Sequence, residues 1–148
     1  MKTGPTAPPA AAPPGMSMTS LSLHAVQGLP EVLPGMELAP LILSCLRQLA
    51  PLRDDDVLLV GQKIVSKSED RGIDLDALTP SAAALELAAC CGKDAHLVEA
   101  ILRESTHVVR CAPNVLIVRH RLGFVVANAA IDQSNLPGGA RRALLLPR

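Results

Sequence analysis

The sequence predicts a single α/β domain, a mixed sheet of α+β-like character with flanking helices, and three observations lead there. Short aliphatic runs alternate along the chain with stretches whose apolar residues recur at helical spacing. At 148 residues and 49% hydrophobic composition, the chain supports one core and leaves little room for a second. With Phe124 as the one aromatic residue, that core must be built from Leu, Val, Ile and Ala.

Residues 1–18 hold five of the thirteen prolines among Ala, Thr and Gly, a composition that buries too little surface to offset ordering entropy. They are expected to be a disordered leader, with Met16 and Met18 as alternative starts to Met1 and the domain running over 19–148. Residues 20–26 alternate polar and apolar, with Leu21, Leu23 and Ala25 on one face, the pattern of a half-buried strand. Two glycines and two prolines in 27–35 mark a shaped loop. Leu38, Leu41, Ile42, Cys45, Leu46 and Leu49 then form one helical stripe, and Pro40 is tolerated in the first turn.

After a polar turn at 53–56, the run Val57-Leu58-Leu59-Val60 predicts a strand buried on both faces, and 61–69 a loop at its carboxyl end. Residues 80–91 predict an Ala/Leu helix stopped at Gly92, and 94–104 a second capped by Asp94, the two forming a hairpin. Strands at 108–109, 115–118 and 124–130 are spaced as a meander. The apolar run at 143–146 has no evident partner strand, which predicts that another chain or a missing segment covers it.

Composition also excludes several function classes. Fourteen Lys+Arg balance fourteen Asp+Glu, so the chain lacks the excess charge that holds proteins on nucleic acid, and one aromatic ring builds no base-stacking platform. No apolar run approaches the ~18 residues of a membrane span, and the amino terminus lacks the apolar core of a secretory signal. Cys45, Cys90, Cys91 and Cys111 show no C-x-x-C spacing and read as reduced, core-filling thiols, which points to a cytoplasmic setting. His24, His96, His107 and His120 show no zinc spacing and read as surface or partly satisfied residues.

Three polar loops beside apolar elements are the candidate site. Gly28-Leu29-Pro30-Glu31-Val32 presents a constrained backbone and a carboxylate, and alone it reads first as an ordinary strand-to-helix turn. Gly61-Gln62-Lys63-Ile64-Val65-Ser66-Lys67-Ser68-Glu69 offers two ammonium groups with Gln and Ser donors, suited to phosphate oxygens, although neither G-x-x-x-x-G-K-[ST] nor G-x-G-x-x-G occurs anywhere. Its plain alternative is a solvated lysine-rich loop. Asn128-Ala129-Ala130-Ile131-Asp132-Gln133-Ser134-Asn135 offers the Asp132 carboxylate, a hard oxygen of the kind Mg²⁺ or Mn²⁺ takes together with substrate phosphates; an Asx turn is the alternative. The basic run Arg119-His120-Arg121 beside it reads as an anion holder or a solvated turn.

Taken in order with Ile101-Leu102-Arg103-Glu104-Ser105 and the run from His120 through Asp132-Gln133-Ser134-Asn135, these segments resemble the coenzyme F420-0:L-glutamate ligase family over about residues 21–147. The resemblance implies a GTP-dependent ligase that adds L-glutamate to coenzyme F420-0 through an acyl phosphate, in coenzyme F420 biosynthesis. It further implies that Leu29, Pro30, Glu31, Val32, Gln62, Lys67 and Asn135 form the GTP site and that Asp132 holds a divalent metal, Mg²⁺ or Mn²⁺, with a monovalent cation as an additional ligand. The family is also expected to form an intimate homodimer of unusual α/β fold.

Two departures from the family pattern stand out. Members continue past Arg148 into a segment with an Asp-Thr pair that completes the metal site, so the domain is expected to be truncated at its carboxyl end and its activity reduced. Gly61 stands where a hydroxyl residue is expected. The alternative function is a non-catalytic nucleotide-binding or dimerising remnant of the same fold.

Overall fold

The computed structural model describes residues 21–49, 51–133 and 141–148. Within them the order is α1 (Leu38–Leu46), α2 (Gln62–Ser68), β1 (Gly72–Asp74), α3 (Ala82–Cys91), α4 (Ala95–Arg103), β2 (Ser105–Ala112), β3 (Val115–His120), β4 (Val125–Ala127) and β5 (Arg142–Leu144). Helices and strands are mixed along the chain, two helix pairs separated by β1 and followed by the remaining strands, and the described strands form two antiparallel sheets, one ordered β2-β3-β4 and one pairing β1 with β5.

The helix hairpin and the meander that follows it form one unit. Ser81 caps α3 by accepting from the Ala84 amide at 3.2 Å, and Asp94 caps α4 by accepting from the Leu97 amide at 3.0 Å. Between them Gly92 takes φ +66°, the left-handed conformation that ends a helix at low cost only without a Cβ. β2 and β3 are joined by Pro113-Asn114; proline fixes φ at the first turn position and Asn114 accepts φ +62° at the second. The meander expected over 108–130 is present, with β2 longer than expected.

The core lies between this hairpin and β3. Ala84, Ala88, Cys91, Val98, Ile101, Leu116 and Val118 are buried there with Ala129, and alanines on α3 let the two helices approach closely. A second cluster of Leu75, Ala100 and Ala143 joins α4 to the β1-β5 pair. His96 braces that junction, its Nδ1 lying 3.0 Å from the carbonyl oxygens of both Leu75 and Leu78, a position in which the ring nitrogen donates.

Several expectations are corrected. Residues 21–26 form no strand, and Leu21 and Leu23 are more than 80% exposed. Residues 57–60 form no strand either: Val57 and Leu59 are 82% exposed, because no described segment offers a ladder to this apolar run and β propensity without a partner does not make a strand. Leu58 and Val60 instead wall an apolar groove with Leu38, Ile42, Leu43 and Val65. The stretch read as the loop 61–69 is helix α2. The strand expected over 124–130 ends at Ala127, because Asn128, Ala129 and Ala130 turn left-handed.

The strand expected near 143–146 is present at Arg142–Leu144 but is not left over. It pairs antiparallel with β1, Gly72 opposite Leu144, so Ala143, Leu144 and Leu145 are buried within this chain. Of the cysteines, Cys45 and Cys91 are buried as expected, Cys111 is half-buried, and Cys90 is exposed rather than core-filling; all four are free thiols. The expected leader lies outside the described residues.

Candidate functional site

The site is organised by α2. Its two lysines stand four residues apart and so share one helix face. Lys63 Nζ lies 2.9 Å from Asp132 Oδ2, and Lys67 Nζ lies 3.5 Å from Glu31 Oε1. One short helix thus draws together the three polar segments, which are separated along the chain by some thirty to seventy residues.

Each partner is placed by backbone as well as by charge. The loop carrying Glu31 is anchored by Val32, which is buried, and by the Gly35 amide, which donates to the Ser68 carbonyl at 2.8 Å. Asp132 exchanges two backbone hydrogen bonds with Leu144, at 3.0 and 2.7 Å, which ties it to the end of β5. The turn before it is strained: Asn128, Ala129 and Ala130 hold φ of +53°, +52° and +53°, a conformation costing roughly 1–2 kcal/mol for each alanine, while asparagine adopts it more readily. Burial of Ala129 in the main core holds the turn in that state. Two buried polar atoms nearby in sequence, Ser66 Oγ and Asn128 Oδ1, have no hydrogen-bond partner among the described residues, which within them is a cost of about 1–3 kcal/mol each.

Beside Lys67 lies a cleft of about 130 Å³ lined by residues that include Glu31, Val32, Lys67, Asp70, Arg142 and Leu144. Of the residues expected at a nucleotide site, Glu31, Val32 and Lys67 meet here. Leu29 is half-buried and Pro30 exposed on the same loop, and Gln62 is exposed at the start of α2; none of the three lines the cleft. Asn135 lies outside the described residues. Asp132 is not among the lining residues and is tied to the cleft by its backbone pairing with Leu144.

Arg142 is the member that sequence reasoning left out of the site, and the contact of Lys63 with Asp132 is the pairing it did not foresee. Lys63 was legible in principle from its i, i+4 spacing to Lys67, but only once 62–68 is seen as a helix. Arg142 had no such signal, because its place depends on the β1-β5 pairing. The basic run at 119–121 is not at this site: His120 is buried and stacked on Phe124 at 5.1 Å, and Arg121 Nε donates to Glu104 at 3.0 Å.

The donor set limits what metal chemistry fits. Among the described residues no group of three His, Cys, Asp or Glu side chains is placed to hold a metal ion. An all-protein cage is therefore unavailable in them. The one carboxylate of Asp132, already facing an ammonium group, fits the Mg²⁺-type arrangement in which one or two carboxylates share the ion with substrate phosphates and water.

Comparison with known proteins identifies the lineage. Residues 28–148 match the family model described as F420-0:gamma-glutamyl ligase. The chain is 43% identical over 129 residues to the coenzyme F420:L-glutamate ligase of Methanothermobacter thermautotrophicus, covering 86% of this chain and 50% of that protein. It is 40% identical over 133 residues to the ligase of Haloarcula marismortui, with 86% and 49% covered, and 43% identical over 122 residues to that of Archaeoglobus fulgidus, with 82% and 46% covered. The chain thus spans about half the length of the curated relatives it matches. On this match and the gathering of its polar segments around α2, the chain belongs to the F420-0:gamma-glutamyl ligase family.

Proposed function

We propose that this chain carries the nucleotide-binding part of a GTP-dependent coenzyme F420-0:L-glutamate ligase. The observation that supports it best is the pair of contacts from one face of α2, Lys63 to Asp132 and Lys67 to Glu31. In the proposed reaction the γ-phosphoryl group of GTP passes to a carboxylate oxygen of F420-0, giving an acyl phosphate and GDP. The amine of glutamate attacks the acyl carbon, the amide forms, and phosphate leaves with the electrons of the broken C–O bond.

Lys67 has the charge for the phosphate end. Its bond to Glu31 is long and Glu31 is 59% exposed, so the pair contributes about 0–1 kcal/mol and yields readily to a triphosphate. Val32 holds the Glu31 loop against the body of the domain, Leu29, Pro30 and Gln62 are proposed to contact the nucleotide outside the cleft, and Asn135 is proposed to contact it as well. Asp132 would hold Mg²⁺ or Mn²⁺ jointly with phosphate oxygens; such an ion, when bound, neutralises charge on the transferring group. Lys63 then serves to orient Asp132. A monovalent cation, a homodimer and a cytoplasmic setting belong to the same proposal; no described helix is long and apolar enough to cross a membrane.

The test is calorimetric titration of the 148-residue chain with GTP and Mn²⁺, followed by incubation with F420-0 and glutamate. Saturable GTP binding that Lys67→Met weakens at least roughly tenfold is expected, from loss of a charge-assisted contact of about 1.5–3 kcal/mol. Mono-glutamyl product with GDP supports the full ligase, whereas binding without turnover supports the non-catalytic alternative. A wild-type chain that binds no GTP overturns the nucleotide reading.

A further inference from the structure

We propose that Arg142 is a substrate-binding residue of the same cleft, its guanidinium receiving an oxyanion beside Lys67. The inference rests on the cleft and deepens the nucleotide reading given above. Arg142 enters the cleft from the opposite element to Lys67, since it lies on β5 while Lys67 lies on α2. Its backbone is fixed by the ladder that sets Asp74 opposite Arg142 and Gly72 opposite Leu144.

Gly72 gives the side chain its path. A Cβ built at residue 72 would meet Arg142 Nη2 at 3.5 Å, so the guanidinium lies across the space from which a side chain would rise. A larger residue there would have to share that space. The other arginines near this part of the fold are committed elsewhere. Arg141 pairs with Asp76 and Asp94, Arg71 and Arg121 with Glu104, and Arg103 with Glu99. Among the described residues no carboxylate lies within ion-pair distance of Arg142.

Volume decides what the cleft takes. The cleft, about 130 Å³, is smaller than the ~300–1,000 Å³ of pockets that enclose whole ligands. A phosphoryl or carboxylate group fits, and the remainder of a nucleotide or acid substrate must extend outside. The planar fork of arginine binds either oxyanion through paired N–H donors, which a lysine does not match. The anion is therefore a phosphate of the nucleotide or a carboxylate of an acid substrate.

The experiment titrates the 148-residue chain at low salt with inorganic tripolyphosphate, L-glutamate and GTP separately, using wild type, Arg142→Met, Arg142→Lys and Lys67→Met. Arg142→Met is expected to weaken one of the first two anions at least roughly tenfold, as loss of a charge-assisted hydrogen bond should, with Arg142→Lys recovering part. Weakened tripolyphosphate identifies the phosphate, and weakened glutamate the carboxylate. Because the side chain is exposed, unchanged circular dichroism is expected in every variant. Wild-type affinity for both anions in Arg142→Met, or no binding of either by wild type, overturns the inference. GTP binding lost in Lys67→Met but intact in Arg142→Met, with both small anions also unaffected there, would sink Arg142 and leave the nucleotide reading standing. A chain that binds no GTP, yet loses glutamate in Arg142→Met, would do the reverse.

Discussion

Replacing Glu104 with Ala should be among the most damaging single changes to this fold. Glu104 Oε2 accepts from Arg71 Nη2 at 2.9 Å and from Arg121 Nε at 3.0 Å, with His120 Nε2 at 3.6 Å. The carboxylate is 11% exposed and Arg71 10%, whereas Arg121 is 42% exposed. Deleting the acid leaves Arg71 as a buried cation whose remaining bond is from Nε to the Leu146 carbonyl at 2.8 Å. An orphaned buried charge costs about 3–5 kcal/mol, while Arg121 can turn to water and adds at most about 1 kcal/mol. Arg121→Ala, which keeps the buried pair, should therefore cost about 0–1 kcal/mol. Without Trp or Tyr the natural assay is urea unfolding followed by far-ultraviolet circular dichroism. At a slope of about 1–3 kcal/mol/M, Glu104→Ala should lower the midpoint by more than about 1 M. A shift equal to that of Arg121→Ala would refute the argument that burial, rather than the number of contacts, sets the cost.

Three further outcomes follow from other elements. The Glu99 carboxyl is held down to about 2, chiefly by the hydrogen bond it accepts from the Ser81 amide and then by Arg103. Its contribution to stability is present above the ordinary value of 4.5 and lost as pH falls toward 2, so Glu99→Gln should flatten that part of an acid unfolding curve. Burial holds His120 below its ordinary value of 6.5 despite the neighbouring Glu104; it stabilises the neutral fold above that pH, and the effect fades as acid forces protonation. An NMR titration should find His120 protonating below the ordinary imidazole value of 6.5, and protonation at or above it would contradict the burial argument. Gly92→Ala, which places a Cβ at φ +66°, should cost about 1 kcal/mol in thermal melts, and an unchanged melting temperature would mean the αL cap is not maintained.

Legibility in the sequence followed how local each signal was. The α3-α4 hairpin could be read because its cues, Ser81, Gly92 and Asp94, act within one turn of the helix ends they cap. The meander was equally visible, since its strands are neighbours in sequence and its first link is a two-residue turn. The apolar run at 57–60 misled because composition records the preference for a ladder and not whether a partner is present. Helix α2 was missed because its seven residues show little apolar periodicity. At the site, Glu31, Lys67 and Asp132 were identified by chemistry and resemblance, while their gathering around one helix face was not legible.

By itself, then, the sequence determined the α/β class, the capped hairpin, the meander and the family, all of which depend on spacing within short windows or on motif order. Tertiary structure alone decided that residues 72–74 pair with residues 142–144, a contact between segments about seventy positions apart. That pairing buries the last apolar strand, fixes Asp132 through Leu144, and carries Arg142 to the cleft beside Lys67. The physical reason is that a strand's partner is chosen by which backbone groups remain unpaired when the core closes, and no local pattern along the chain encodes that choice.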